Sequence, residues 1–278
     1  MKSSDSIQVF TLNNGIPVPA VGLGVYQMPN GPLTQRAVDY ALRCGYRHID
    51  SAMIYRNEES VGKAIAVGFV PREEVFVTTK LWNSDQGYDQ AIKACHASLN
   101  RLGLTYVDLY LIHWPVHGKR KESWRALETL YGEEKCRAIG VSNYLTHHLE
   151  ELLGYCKIVP AANQLEMHPY LYNSRIETID LCRRQGILPI AYSPLTKGAK
   201  LRDPLLVKIA RNYGKSTAQL LIRWALQQGF AVIPKSSATA RIAENFQVFD
   251  FKITPEDMVL LNGLDENLTT GWDPADAL

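Results

Sequence analysis

The chain has 278 residues, of which 46% are hydrophobic and 21% are charged, and its formal net charge is +2. These proportions are typical of a globular protein, and the weak charge excludes a broad basic surface for nucleic acid. No apolar run approaches the roughly 20 residues that cross a bilayer, and the N-terminus lacks the apolar core of a signal peptide, so no membrane partner is expected. Five widely spaced cysteines without a CxxC pair argue against disulfides and structural zinc and indicate a cytoplasmic protein.

Strand-like runs alternate with helix-like runs along most of the chain. It opens with two extended runs, 7–12 and 16–24, and the Asn-Gly between them predicts a hairpin turn. Eight barrel-forming strands are then predicted, at residues 20–25, 46–52, 74–81, 106–114, 136–143, 161–167, 187–195 and 231–236. The segments between them have helical periodicity, and several end in Gly shortly before the next strand.

This alternation predicts an α/β protein with a closed (β/α)8 TIM barrel, a fold that takes about 250 residues in one domain. Segment 203–228 holds two helices, one of them additional to the repeat, and Thr254 with Pro255 begins a C-terminal helix. No linker divides the chain, so residues 1–278 are expected to form a single domain with an N-terminal β-hairpin and extra helices. No exposed heptad or long apolar stripe calls for a dimer, and a monomer is expected.

Polar residues follow the apolar strands at the ends where TIM barrels carry their chemistry. Asp50, Lys80 and His113 end three successive strands, and Tyr55 lies in the loop after the first of them. A lysine beside the barrel core needs a carboxylate partner, and Asp50 is the nearest by strand order. The ammonium is expected to lower the pKa of Tyr55 from its usual value of about 10, so that Tyr55 can protonate an oxyanion. His113 can bind a carbonyl oxygen. Together, the four residues predict carbonyl reduction.

Reduction needs a hydride donor, and the sequence indicates where one would bind. The segment VGLGVYQ has a Gly-x-Gly but neither a third glycine nor a helix after it, so the Rossmann pattern is absent. A phosphate site is predicted instead after the eighth strand, where a helix N-terminus combines with Lys and Arg. Its candidates are Lys235, Ser236, Ser237, Arg241 and Asn245. Two cations favour NADPH over NADH, and the alternative interpretation is a solvated basic helix start.

Six segments together resemble the aldo-keto reductase family, in the family's order and over essentially the whole chain. They are residues 45–62, 106–115, 137–144, 163–169, 191–195 and 233–251. The resemblance implies a (β/α)8 barrel that binds NADPH in extended form and reduces aldehydes and ketones to alcohols. It also implies that Asp50, Tyr55, Lys80 and His113 form a catalytic tetrad with Tyr55 as the general acid.

The resemblance further implies how the cofactor and the substrate are bound. The nicotinamide would be held by Ser142, Asn143, Gln164 and the aromatic ring of Tyr192. The pyrophosphate would lie along Ser193 and Leu195, with Gly24 also assigned to the cofactor site. The adenosine end with its 2′-phosphate would bind Lys235, Ser236, Ser237, Arg241, Glu244 and Asn245. The substrate mouth would be lined by Tyr26, Trp82, Trp114 and His113.

Departures and local similarities refine this resemblance. Tyr26 stands where many relatives have Trp, Tyr192 where close relatives often have Trp, and Met53 where Ala is common. The segments TTKLWNSDQGY and GWDPADAL are similar to microbial and protozoal members, which include 2,5-diketogluconate reductases, glyoxal reductases and prostaglandin F synthases. A prostaglandin F synthase or a broad-specificity reductase of aldehydes and α-dicarbonyls is therefore expected. The short connection 115–123 leaves little material for a lid and predicts an open pocket.

Two other functions are compatible with parts of the sequence. A metal-dependent barrel hydrolase would draw its ligands from His113, His117, His147, His148, His168 and Asp108. No HxH ends a first strand, and these histidines are scattered over loops, which disfavours a metal site. The second alternative is an NADPH-binding sensor or regulatory barrel without physiological turnover, and the intact tetrad argues against it.

Overall fold

A computed structural model describes residues 8–277, and the side chain of Asp276 is not described. Ile7, the first residue of the predicted hairpin, lies outside this range, as do Met1–Ser6 and Leu278. The hairpin is confirmed: strand β1, Val9–Thr11, pairs antiparallel with β2, Pro17–Pro19. Gly15 supplies the positive φ of 84° that the turn requires. Because Leu12 and Val18 join the apolar cluster inside the barrel, the hairpin closes its N-terminal end.

The predicted barrel is confirmed as eight parallel strands that pair in chain order. They are β3 Leu23–Gly24, β4 His48–Asp50, β5 Phe76–Leu81, β6 Val107–Ile112, β7 Cys136–Ser142, β8 Ala162–Glu166, β9 Leu188–Tyr192 and β10 Ala231–Val232. Each lies inside its predicted range. The first and last strands close the barrel, since Gly22 N–H donates to Val232 O at 2.8 Å and Gly24 bridges to Lys235.

Ten α-helices are found in the described part of the chain. They are α1 Pro32–Cys44, α2 Glu58–Ala66, α3 Tyr88–Leu102, α4 Arg120–Gly132, α5 Thr146–Leu153, α6 Ile176–Arg184, α7 Pro204–Asn212, α8 Thr217–Gln227, α9 Thr239–Phe246 and α10 Pro255–Asn262. The extra helix expected in 203–228 is α7, which packs on α8, whereas α8 packs on β10. Thr254 caps α10 as predicted by accepting the Asp257 N–H at 3.2 Å. Within residues 8–277, none of these helices has the length and apolar character to cross a membrane.

The alternation of side chains along each strand decides which residues face the barrel interior. In β6, Leu109 and Leu111 belong to the interior cluster, whereas Tyr110 belongs to the layer between the strands and the helices. The same alternation turns Lys80 of β5 and His113, just after β6, toward the interior. Because both lie at the C-terminal ends of their strands, they reach the same mouth.

Candidate active site

The four residues of the predicted tetrad meet at the C-terminal mouth of the barrel. Lys80 Nζ donates to Asp50 Oδ1 at 2.6 Å and to the Ser51 carbonyl oxygen at 2.8 Å, and both charged side chains are buried. Tyr55 ends a 3-10 helix that follows β4, and its ring centroid lies 5.1 Å from Lys80 Nζ. The Tyr55 and His113 rings are 5.8 Å apart, edge to face. Lys80 is thus paired with Asp50, the partner that strand order predicted.

The loop that carries Tyr55 is fixed by Asn57, a residue that the sequence analysis missed. The buried Asn57 amide donates to Val25 O at 2.9 Å and to Met28 O at 3.0 Å, and its Oδ1 accepts from Ser51 Oγ at 2.8 Å. These bonds tie the loop after β4 to the loop after β3. Asn57 therefore limits the positions that the Tyr55 ring can take. Only its place inside the motif 45–62 could have drawn attention to it.

Gln164 connects the predicted nicotinamide site to the tetrad. Its Nε2 donates to Asp50 Oδ2 at 2.7 Å, so the two carboxylate oxygens of Asp50 are divided between Lys80 and Gln164. β8 and β4 lie on opposite sides of the barrel, and the bond crosses the interior. From the sequence, Gln164 was predicted to bind only the cofactor.

Asn143 is the centre of a second hydrogen-bond network at the mouth. Its backbone is left-handed, with φ of 64°, a conformation that Asn tolerates better than most residues. Its Nδ2 donates to His113 O at 3.0 Å and to Ser142 Oγ at 3.1 Å, and its Oδ1 accepts from the Tyr192 hydroxyl at 2.9 Å. Ser142 Oγ in turn donates to the Gln164 carbonyl at 2.9 Å. The four residues predicted to hold the nicotinamide are thus brought together.

The expectation that the pKa of Tyr55 is lowered is wrong. Burial raises the pKa of Tyr55 well above that of a free tyrosine, and the Asp50 carboxylate adds to the increase. Lys80 does not reverse this, because its charge is already paired with Asp50. Burial also lowers the pKa of Lys80 itself, against the opposing pull of Asp50. Tyr55 is therefore protonated at neutral pH.

His113 is neutral at physiological pH. Burial, with the Lys80 charge as a second cause, holds its pKa well below the usual range. Its Nδ1 is buried without a hydrogen-bond partner among residues 8–277. A neutral imidazole still has one N–H to donate. His113 can therefore offer that proton to a carbonyl oxygen without carrying a charge of its own.

The predicted phosphate site lies after β10, at the N-terminus of α9. The residue that precedes α9, Ala238, gives no side-chain cap, so the first N–H groups of the helix can bind an anion. Lys235 and Arg241 are exposed, and neither takes part in an ion pair between described residues. Two unpaired cations beside an uncapped helix N-terminus fit the 2′-phosphate of NADPH.

The other predicted cofactor residues lie near these two sites. Ser193 and Leu195 follow β9 and are half-buried, and Ser193 has a left-handed φ of 47°. Ser236 and Asn245 are buried, whereas Ser237 and Glu244 are half-buried. Gly24 has a packing reason to be glycine, because a Cβ there would lie 2.9 Å from the Ile233 carbonyl oxygen across the barrel closure. Contacts of all these residues with a cofactor stay predictions.

Aromatic side chains surround the mouth, and one of them was not anticipated. Tyr26 is 46% exposed with its ring 5.0 Å from that of Tyr55, and the Trp82 ring lies 5.2 Å from His113. Trp114 packs against Trp272, with centroids 4.5 Å apart and ring planes at 34°. The segment after β6 is as short as predicted. The C-terminal segment, however, adds Trp272 to the aromatic residues around the mouth. The only signal for Trp272 in the sequence was the family-like ending GWDPADAL.

The side chains proposed for a metal-dependent enzyme do not assemble. In the described range, no group of three or more His, Cys, Asp or Glu residues is arranged to hold a metal ion. Asp108 accepts from Arg72 and Arg137, each at 2.8 Å, far along β6 from the mouth. His148 bonds the Ala277 carbonyl oxygen at 2.9 Å. This arrangement gives no support to the hydrolase alternative.

Comparisons with known proteins agree with the geometry of the mouth. The model of the Aldo/keto reductase family matches residues 20–266. The chain is 48% identical to the 9,11-endoperoxide prostaglandin H2 reductase of Trypanosoma cruzi, over 95% of this chain and 94% of that protein. It is also 48% identical to the glyoxal reductase of Bacillus subtilis, over 96% of each.

Solved structures extend the similarity to three dimensions. An aldo/keto reductase from Brucella melitensis superposes with a TM-score of 0.89 at 44% identity, over 94% of this chain and all of that one. An aldo-keto reductase of Bombyx mori in complex with NADP superposes with a TM-score of 0.88 at 35% identity, over 95% of each chain. Sequence, fold and the arrangement of the mouth lead to one conclusion: the chain belongs to the aldo/keto reductase family, whose members are oxidoreductases that use NADP(H).

Proposed function

We propose that this protein reduces aldehydes and ketones to alcohols with NADPH, and that Tyr55 is the general acid. Family membership supports carbonyl reduction as the reaction class. The observation that carries the assignment of roles is the buried Lys80–Asp50 ion pair beside the Tyr55 ring, with neutral His113 edge to face with the same ring. A proton donor, a cation and a neutral N–H donor thus meet where a carbonyl oxygen can approach.

The proton chemistry follows from these positions. When bound, NADPH supplies a hydride to the carbonyl carbon. Tyr55 O–H and the His113 N–H donate hydrogen bonds to the carbonyl oxygen, and these strengthen as negative charge develops there. Tyr55 then gives its proton to that oxygen, which completes the alcohol. Lys80, held by Asp50, stabilises the tyrosinate that remains.

The raised pKa of Tyr55 is compatible with this role. It keeps the proton on Tyr55 until an oxyanion of higher basicity forms next to it. A general acid of high pKa gives up its proton readily only to a group that is more basic than its own conjugate base. The developing alkoxide provides such a partner, so the acid does not have to ionise in the resting protein.

The residues of the mouth and of α9 would hold the cofactor at its two ends. Ser142, Asn143 and Gln164 offer hydrogen-bonding groups for the carboxamide, and Tyr192 offers a flat ring for stacking. At the other end, Lys235 and Arg241 would bind the 2′-phosphate, as in the sequence prediction. Ser193, Leu195, Ser236, Ser237, Glu244, Asn245 and Gly24 complete the proposed cofactor site.

The decisive experiment compares Tyr55→Phe with the unchanged protein in NADPH-consumption assays. We expect kcat to fall by about 10²- to 10⁴-fold, the usual contribution of general acid–base catalysis. NADPH affinity, followed by quenching of protein fluorescence, should change little. Tyr26→Phe is a matched control, because it removes a hydroxyl from the neighbouring ring. Full turnover by Tyr55→Phe with a reactive aldehyde would contradict the mechanism.

The substrate is proposed from the same set of residues and from relatives. One relative is named a glyoxal reductase and another a 9,11-endoperoxide prostaglandin H2 reductase, and these names suggest two substrate types, an α-dicarbonyl and an endoperoxide. We propose broad specificity for aldehydes and α-dicarbonyls, with prostaglandin H2 as the second candidate. A panel of glyoxal, methylglyoxal, phenylglyoxal, simple aldehydes and prostaglandin H2 would rank them by kcat/KM. The monomeric state, the single domain over 1–278 and the cytoplasmic location stay predictions.

A further inference from the structure

The C-terminal tail, defined as residues 264–277, crosses the mouth of the barrel from α10 to α5. Side-chain contacts fasten it along its length, and four of them are spread from its start to its end. They join Asp265 to Ser174, Thr270 to Glu166, Asp273 to Arg175, and the Ala277 carbonyl to His148. The tail is thus built into the same end of the barrel as the tetrad.

The Glu166–Thr270 contact is the one that reaches the barrel interior. Glu166 is the last residue of β8, two positions after Gln164, and is only 6% exposed. Its Oε1 accepts from the Thr270 N–H at 2.9 Å, from Thr270 Oγ1 at 2.5 Å and from His168 Nε2 at 3.3 Å. On the other side, Lys197 Nζ donates to the Thr270 carbonyl at 2.6 Å.

Glu166 is held in its charged form by these donors. Burial raises the pKa of a carboxyl, but the hydrogen bonds from His168 and Thr270 outweigh it, so the pKa of Glu166 lies below its usual value. A buried carboxylate is unfavourable unless it is hydrogen-bonded. Since Thr270 supplies two of its three donors, the tail and the carboxylate depend on each other.

Trp272 lies only two residues beyond this contact. Two residues of extended chain span at most about 7 Å, so a fixed Thr270 confines Trp272 to the region of the mouth. The Arg175–Asp273 ion pair, at 2.6 Å, holds the next residue. Between these two anchors the Trp272 ring, which is 50% exposed, packs against Trp114.

We infer that Glu166 is a positioning residue for substrate selection, which holds Thr270 and thereby keeps Trp272 against Trp114 as an aromatic wall of the mouth. Trp114 follows His113 at the C-terminal end of β6, and we place a substituent on the reacting carbonyl against this wall. The class of substrate it favours is a carbonyl compound with a flat aromatic substituent. The inference rests on the proposed carbonyl reduction at the same mouth.

The test compares phenylglyoxal with methylglyoxal, two α-dicarbonyls that differ in one substituent. Trp272→Ala removes the wall and should lower the phenylglyoxal-to-methylglyoxal ratio of kcat/KM by about tenfold, the worth of one aromatic contact. Thr270→Val removes the hydroxyl donor and Glu166→Gln removes the charge. Each should lower the ratio by about threefold, chiefly through KM for phenylglyoxal, because a weakened anchor leaves the wall in place for part of the time. Thr269→Val, the same change at the neighbouring position, should leave the ratio unchanged.

A spectroscopic readout separates positioning from catalysis. The Trp114–Trp272 pair should give a near-ultraviolet circular dichroism signal that is lost in Trp272→Ala, reduced in Thr270→Val and Glu166→Gln, and retained in Thr269→Val. Retention of both the signal and the ratio in Thr270→Val and Glu166→Gln would overturn the inference, as would an unchanged ratio in Trp272→Ala. If neither dicarbonyl is reduced by the unchanged protein, the proposed function fails, and the dichroism series still reports whether Glu166 positions the tail.

Discussion

Replacement of Lys80 by methionine tests the charge that the mechanism places beside Tyr55. Methionine keeps most of the length of the side chain and lacks the ammonium. A unit charge at Nζ lies 5.1 Å from the centre of the Tyr55 ring. At this distance and an effective dielectric constant of about 20, the charge stabilises a tyrosinate by about 3 kcal/mol. The Asp50 carboxylate opposes part of this effect. We therefore expect kcat at saturating NADPH to fall by roughly 10- to 200-fold, at about 1.4 kcal/mol for each factor of ten.

The same replacement also removes the partner of a buried carboxylate. Among residues 8–277, Asp50 would keep only Gln164 as a side-chain donor, and loss of one member of a buried pair costs about 3–5 kcal/mol of stability. Stability and catalysis are separated by the double variant Lys80→Met with Asp50→Asn. Urea unfolding should show most of the stability restored, whereas kcat should stay low because the cation is still missing. Restoration of kcat together with stability, or a kcat within twofold of normal in the single variant, would refute the electrostatic role of Lys80.

Three further predictions concern the cofactor site and the tail. Arg241→Ala should reduce the preference for NADPH over NADH by about 10- to 100-fold, the value of a charge-assisted hydrogen bond; an unchanged ratio of kcat/KM for the two cofactors would exclude Arg241 from the phosphate site. Gln164→Leu leaves one buried oxygen of Asp50 without its donor and should lower kcat about tenfold even at saturating NADPH; an effect on NADPH affinity alone would show that the bond to Asp50 has no catalytic role. The pKa of His148 is lowered to about 4, mainly by burial, so its contribution to stability is complete above the unfolded pKa of about 6.5 and is lost as the pH falls toward 4. His148→Gln should therefore flatten the decline of urea-unfolding free energy in that window by up to about 1.4 kcal/mol per pH unit, and an unchanged slope would assign the decline to other groups.

The barrel and the central ion pair are the features that the sequence predicts best. Each strand is a short apolar run, and the chain order of the strands is also their order around the barrel. Lys80 and Asp50 lie on neighbouring strands, so strand order alone was enough to pair them. The alternation of side chains along β5 and β6 also determines that Lys80 and His113 face the barrel interior. These are local rules, and the residues that obey them could be placed without coordinates.

The features that escaped prediction depend on contacts that no local rule describes. The bond from Gln164 to Asp50 joins opposite sides of the barrel, and Trp272 reaches Trp114 from the far end of the chain. Asn57 acts through two carbonyl oxygens of a different loop. The pKa of Tyr55 moved in the opposite direction because burial is a property of the whole fold, whereas the sequence shows only which charge lies nearby.

The bond between Gln164 and Asp50 has a consequence for how the two halves of the site work together. The Asp50 carboxylate shares its negative charge between the Lys80 ammonium and the Gln164 amide. It therefore neutralises less of the Lys80 charge than a carboxylate that contacted Lys80 alone. If the Gln164 amide also binds the carboxamide of NADPH, as proposed, it can do so through its second N–H or its oxygen, and the polarisation of the amide would then change the strength of its bond to Asp50. A weaker bond to Gln164 would strengthen the pairing of Asp50 with Lys80, and a stronger one would release more of the ammonium charge toward Tyr55. The proton donor would thus respond to the cofactor through one amide, without movement of the barrel strands.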